Sequence, residues 1–405
     1  MLVCVLLAWA STATATTLRT PHYNIKTELG PEFTRIVADH MEQIFKEYAR
    51  RLPQFNTNTD DRFNVRVYAT KQGYERAMPP SLTGSTGAFV SHLRLLATYK
   101  GDRPREEVLR TLYHEGFHQF MYRCISTDCP LWLNEGLAEY FAEATWTGRG
   151  FETGQVPPER LKIIQDAVRN RQYMPFNNLF SLKQRSWLRT VHMNRSQASL
   201  QYCQAWSAVH FLIHGDQGRY FNRLMGYLKS INSGLDSETA FKKHFGQNMN
   251  GFDRAWREYV MNMRPDAKHR CKSNMKLLLH LAQHAYETPR KFQSLSHFRS
   301  MLLDDKRVEW SITSAYGETY SSSNRRRAAE LFRCPFDSGD REISFVLMRD
   351  RRTGLPTIFC THHPGIIIKA YYRREPGGEY KVEVEEQVQS TVPPQLQRSL
   401  KARLR

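Results

Sequence analysis

The sequence predicts an α+β protein: a small N-terminal sheet with a pair of helices packed on it, then a helical subdomain, then a small C-terminal β-rich domain. Three observations predict it. Short alternating runs flank an amphipathic helical pattern before residue 100, and apolar residues at three- and four-residue spacing dominate 158–263. From about residue 308, alternation and β-branched residues take over. With 405 residues, of which 40% are hydrophobic and 12% aromatic, the chain has the apolar content of a folded protein and the length for more than one domain.

Taken in order, His22-Tyr23-Asn24-Ile25-Lys26-Thr27 reads as a strand. Residues 32–52 read as a helix, because Phe33, Ile36, Val37, Met41, Ile44, Phe45 and Tyr48 fall on one side. Arg62-Phe63-Asn64-Val65-Arg66-Val67-Tyr68 alternates as a second strand, and a turn rich in Gly, Ser and Pro follows at 79–87. Ala88-Phe89-Val90 and 93–99 then suggest a strand or hairpin that leads into the next helix. Such a strand can offer its edge to an extended peptide or serve as a purely structural edge.

That helix opens with Asp102-Arg103-Pro104-Arg105-Glu106-Glu107, where Pro suits the first turn and the glutamates suit the positive end of the dipole. Val108, Leu109, Leu112, Phe117, Phe120 and Met121 continue it. Further helices are expected at 159–169, 198–214, 220–228, 237–245, 250–263 and 274–286, with a loop-like stretch at 177–196. Strand-like runs are expected at 308–313, 343–348, 356–360, 366–372 and 380–388. These patterns divide the chain into a segment at 1–15, a first domain at 20–265, a helical connector at 266–303, the β-rich domain at 304–388 and a basic tail at 389–405.

The segment at 1–15 combines the apolar run Leu2-Val3-Cys4-Val5-Leu6-Leu7-Ala8-Trp9-Ala10 with the small residues Ala13-Thr14-Ala15, the pattern of a cleavable secretory signal. It places the mature chain outside the cell, in the periplasm or in the cell envelope. No other stretch reaches the ~20 apolar residues of a membrane span. Removing the segment takes Cys4 and leaves an even number of cysteines, which an oxidising compartment lets pair. Cys124 with Cys129 is the first candidate pair and Cys334 with Cys360 the second. Free buried thiols fit the same spacing, and without paired Cys-x-x-Cys spacing no metal is assigned to these cysteines.

Lys and Arg number 58 against 40 Asp and Glu, a net charge of +18. That excess favours an anionic partner such as an envelope surface, with Arg325-Arg326-Arg327 and Arg349-Asp350-Arg351-Arg352 as candidate contacts. A solvated basic face accounts for the same balance. Nothing here has the zinc-finger spacing, RNA-recognition signature or heptad-bearing basic region that would accompany a nucleic-acid binder.

The strongest chemical signal is His114-Glu115-Gly116-Phe117-His118. Residues four apart share a helix face, so His114 and His118 can offer two imidazoles to one metal ion with Glu115 beside them. A catalytic zinc takes three protein ligands and keeps one position open, so a third ligand is required. The interval from His118 to Glu135 is long enough for a loop and a chain reversal, which brings Glu135 alongside as that ligand. His210 and His214 are also four apart, but without an acidic partner pattern they read as ordinary helix residues.

His114-Glu115-x-x-His118 followed by Trp132-Leu133-Asn134-Glu135-Gly136 resembles the gluzincin zinc metallopeptidases, which include thermolysin-like enzymes and the aminopeptidase N and leukotriene hydrolase group. The longer pattern, Tyr113 to Phe120 with Leu133 to Tyr140, is still more similar to bacterial peptidase-MA-like domains of unknown function. The likeness covers about residues 22–263 and does not extend to the β-rich domain. It implies a gluzincin-like fold and a Zn2+ ion held by His114, His118 and Glu135, with Glu115 as general base and acid toward a peptide or protein substrate. It also implies that Glu139 accepts the free N–H of a zinc-bound histidine and that Tyr202 donates to the oxyanion. A surface carboxylate and a packing tyrosine are the plainer readings of those two residues.

One departure narrows the expectation. Aminopeptidases of the resembling group carry Gly-x-Met-Glu-Asn on the edge strand to hold a free amine, and Gly87-Ala88-Phe89-Val90-Ser91 lacks both Met and Glu. An endopeptidase fits this better than an aminopeptidase. The alternatives are a non-catalytic envelope-binding protein on the same scaffold and a zinc hydrolase of a non-peptide amide or ester.

Overall fold

Tyr23, Ile25 and Thr27 are buried while Lys26 between them is exposed, the period-2 pattern of a strand with one covered face. This is the second strand of the sheet that positions the site. The structure is a computed structural model and describes residues 15–55, 57, 61–285, 293–375 and 377–403. Residues 1–14 of the expected export segment lie outside the described residues. The described chain is mixed α and β, with an N-terminal sheet, a helical middle region and a C-terminal β-rich part. Among the described residues no helix is long and apolar enough to cross a membrane.

The chain packs into two compact units. The first comprises 1–143, 174–198 and 205–253, and the second 144–173, 199–204 and 254–405. Residues 144–173 thus group with the C-terminal part.

In the first unit, β1 (Thr16–Arg19) pairs antiparallel with β2 (Tyr23–Thr27), and α1 (Gly30–Arg51) carries the chain over to β3 (Phe63–Tyr68), parallel to β2. Pro31 and Glu32 open α1 and Arg50 and Arg51 close it, each at the helix end that favours it. A short helix not expected from sequence, α2 (Lys71–Ala77), starts where the Thr70 hydroxyl accepts from the Gly73 N–H at 3.0 Å. The expected hairpin is β4 (Gly87–Val90) antiparallel to β5 (Leu95–Tyr99), which lies parallel to β3. The sheet order is β1-β2-β3-β5-β4, so β4 is an edge.

The next helix, α3 (Arg105–Phe120), runs on from β5, loosens into a π-type turn at Met121–Ile125 and is followed by α4 (Leu131–Ala142), which packs along it. Aromatic packing fixes α3: the Tyr48 ring of α1 meets Phe117, Phe120 and Phe141, and the Tyr48 hydroxyl donates to the Tyr113 carbonyl at 2.6 Å. The 177–196 stretch expected to be loop-like holds the short helices Phe176–Phe180 and Gln184–Met193 instead. Apolar burial overrides the weak helical pattern there, since Phe176, Leu179 and Trp187 are buried and Phe180 stacks on Trp132 at 4.5 Å.

The second unit centres on a four-stranded antiparallel sheet, Val346–Arg349, Pro356–Cys360, Ile366–Arg374 and Tyr380–Val388 in sequence order. Helices Ala267–Ala285 and Leu295–Asp304 supply Cys271, Met275, Leu278, Leu279, Phe298 and Leu302 to one core with Ile358, Ile368 and Ala370 of the sheet. An amphipathic helix needs an apolar cover, and one face of the sheet provides it. On the other face, Val346, Phe359 and Ile367 cover Leu400, so part of the expected basic tail is a docked helix, Pro394–Arg403.

Candidate metal centre

Helix α3 sets His114 and His118 on one face, one turn apart, and their Nε2 atoms lie 3.1 Å from each other. Helix α4 brings Glu135 against them, with its Oε2 3.4 Å from His114 Nε2 and 3.5 Å from His118 Nε2. The three sequence-expected ligands thus point three donor atoms at one locus. Donors bound to one zinc at about 2.0–2.1 Å in tetrahedral geometry sit about 3.3 Å apart, the span observed here. Glu135 Oε2 is also buried with no hydrogen-bond partner, as a ligand atom that awaits a cation would be. Two imidazoles and one carboxylate are the donor set of a catalytic zinc site, and these residues fit that ion.

The outer nitrogens are tied down from behind. His118 Nδ1–H donates to the Asn134 Oδ1 at 3.0 Å, and His114 Nδ1 lies 3.5 Å from Glu139 Oε1. A proton held on Nδ1 leaves Nε2 with its lone pair free for a metal. Glu139 was named from the sequence. Asn134 was not, and its only sequence signal is a polar side chain immediately before the ligand in a helix that is otherwise mostly apolar.

The electrostatics of these side chains follow from this crowding. Burial works against charge on both histidines, but Glu139 and Glu135 beside His114 outweigh it, and Glu135 beside His118 lifts that imidazole to about 9. Burial disfavours the Glu135 carboxylate, and His118 and His114 more than offset that, holding it well below the carboxylate range. A cation on the two Nε2 atoms would require both imidazoles to be neutral.

Glu115 couples electrostatically to both histidines, and its Oε2 accepts the backbone N–H of Phe89 on β4 at 2.9 Å. That contact was invisible in the sequence, because its donor is main chain. Two glycines set the helix spacing. A Cβ on Gly116 would lie 3.0 Å from Met41 Cε and 3.3 Å from the Tyr48 hydroxyl. One on Gly136 would fall 2.4 Å from the Ala205 carbonyl oxygen and 2.7 Å from Val209 Cγ2 on helix Arg195–His214. Arg110 of α3 pairs with Glu143, just past the end of α4.

Tyr202, expected to donate to an oxyanion, is half-buried on helix Arg195–His214, in the 199–204 stretch that groups with the second unit. His214 Nε2 meets the Tyr140 hydroxyl at 2.9 Å, which makes it a packing partner of α4.

Residues 108–231 match a family model described as a protein of unknown function, DUF1570. The DUF1570 segment contains both histidines, Glu115, Glu135 and Glu139, together with the helix that meets Gly136. It begins after β4, so the strand that holds Glu115 lies outside it. No curated protein matches the chain.

Proposed function

We propose that the protein is a zinc-dependent peptidase that cleaves within polypeptides. The observation that carries this reading is the convergence of His114 Nε2, His118 Nε2 and Glu135 Oε2 beside a carboxylate, Glu115, which none of the three ligand positions uses. Zinc, when bound by these three residues, supplies Lewis acidity that acidifies water and polarises a carbonyl.

The chain's own residues do the rest. Glu115 takes a proton on its carboxylate as water adds to the peptide carbonyl, and delivers it to the departing amine nitrogen as the C–N bond breaks. The Phe89 N–H fixes one Glu115 oxygen and so aims the other. Asn134 and Glu139 hold the two imidazoles in their ligating orientation. β4, an edge strand next to Glu115, presents main-chain groups to which an extended substrate can pair as an added strand. With no carboxylate along Gly87–Val90 to meet a free amine, internal cleavage suits this edge better than removal of N-terminal residues.

Metal analysis with peptide-library cleavage tests the reading. Wild-type protein should carry zinc and cleave. Glu115→Gln should keep zinc at wild-type stoichiometry and lose cleavage. A wild-type protein that takes up no stoichiometric zinc sinks the proposal, as does a Glu115→Gln variant that cleaves as the wild type does.

A further inference from the structure

A second group of metal-ligating side chains lies in the C-terminal unit. Cys271 sits on helix Ala267–Ala285, Cys334 just after the turn Glu330–Phe332, and Cys360 at the end of strand Pro356–Cys360. Their three sulfur atoms lie within 4.8 Å of one another. All three side chains are buried, and each is a free thiol. The pairing expected between Cys334 and Cys360 is therefore replaced by a threefold cluster at the meeting point of a helix, a turn and a strand, inside the core they share.

Geometry separates the uses of such a cluster. Three sulfurs bound to one zinc at about 2.3 Å stand about 3.8 Å apart, within the observed span. A disulfide would draw two of them to about 2.05 Å and leave the third thiol with no use in the cluster. Main-chain donors face two of the sulfurs. The Phe336 N–H faces the Cys334 sulfur and the His362 N–H faces the Cys360 sulfur, in both cases two residues on, so each turn spreads the charge of its own sulfur. The Cys271 thiol faces Met275 Sδ at 4.0 Å.

Close by, Asp337 Oδ2 is buried without a hydrogen-bond partner, 3.5 Å from His362 Nε2. A cleft of about 320 Å³ lined by Arg270, Asn274, Tyr316, Arg333 and Asp337 reaches Cys334 and gives an ion a way in.

We propose that Cys271, Cys334 and Cys360 bind one thiophilic d10 cation, Zn2+ or Cu+, which clamps helix, turn and strand of the C-terminal core. Each S–H gives its proton to solvent as its sulfur bonds the ion, and no electron transfer is involved. The site is independent of the His–His–Glu centre, in both its residues and its unit.

The test uses the full chain carrying His114→Ala and His118→Ala, so that retained metal reports the cysteines. Metal analysis of this variant, purified under reducing conditions, should find one equivalent, and the element present distinguishes zinc from copper. Loading the metal-free form with Co2+ should give a near-ultraviolet sulfur-to-cobalt charge-transfer band, and adding Cys334→Ser should weaken it. Absence of retained metal overturns the proposal, and so does cobalt bound without that band. Non-reducing peptide mapping that finds two of these three cysteines joined by a disulfide would also overturn it. These readouts need no variant at a cysteine to fold, since the charge-transfer band is sought first with all three thiols intact.

Discussion

Of the residues around the candidate metal centre, the two that back the histidines are the most informative. Asn134 and Glu139 each hold the Nδ1 side of an imidazole, so their loss leaves the ligands in place but loosely aimed. Asn134→Ala and Glu139→Gln should each lower zinc affinity roughly 10- to 100-fold. Competition against a chromogenic chelator measures this, with circular dichroism as the control for folding. Unchanged affinity in both variants would show that these side chains merely pack. Glu139 was named through the resemblance, as a carboxylate one helical turn beyond Glu135. Asn134 was harder to see, since an amide before a ligand has no fixed meaning until the helix is rotated against its neighbour.

Elements place the ligands, and the contacts between elements carry their own predictions. Gly136 lets α4 approach the helix that carries Ala205 and Val209, and a methyl there meets a carbonyl oxygen at 2.4 Å. Gly136→Ala should cost about 1–3 kcal/mol as overpacking, and the same shift should displace Glu135 and weaken zinc binding. Denaturant unfolding with a parallel zinc titration checks both, and a variant as stable as wild type would contradict the close approach.

In the second unit, Glu386 of strand Tyr380–Val388 pairs with Lys272 at 2.8 Å and Lys268 at 3.3 Å. Burial disfavours its charge, yet the two ammonium groups bring its carboxyl from 4.5 down to about 2. The folded pKa is depressed, so this stabilisation is complete above the unfolded value and disappears as pH falls through about 2. It is worth about 3 kcal/mol at neutral pH. Glu386→Gln should flatten the stability profile between about pH 5 and 2. Urea unfolding at stepped pH reads that slope, and a slope that stays the same in the variant would remove Glu386 as its source.

For the molecule as a whole, bound metal should count toward stability. Zinc at a hundredfold excess over its Kd adds about 2.7 kcal/mol per site if only the folded state binds it. Calorimetry should show a zinc-dependent rise in thermal stability that, when zinc is the ion of the cysteine cluster, is reduced and not abolished by His114→Ala with His118→Ala. A rise that vanishes entirely in that variant would exclude zinc as the ion of the cluster. Large parts of the architecture were legible beforehand. α1, the β4–β5 pair, α3 and the C-terminal strands declare themselves by periodicity, since burial on one face imposes a spacing of 3.6 or 2 residues. The helices in 176–193 escaped because each is short, and Phe180 of the first is held by aromatic partners in other elements, Trp132 and Phe241.

The sequence by itself determined the His114–Glu115–His118 face and proposed Glu135 as the third ligand, because a one-turn spacing is local and survives whatever the rest of the chain does. Only the tertiary structure decided what surrounds that face: the Phe89 N–H on Glu115, the Asn134 contact, and the close crossing at Gly136. It alone gathered Cys271, Cys334 and Cys360. Their positions share no period, and they meet because a helix and one face of a sheet must bury their apolar sides against each other.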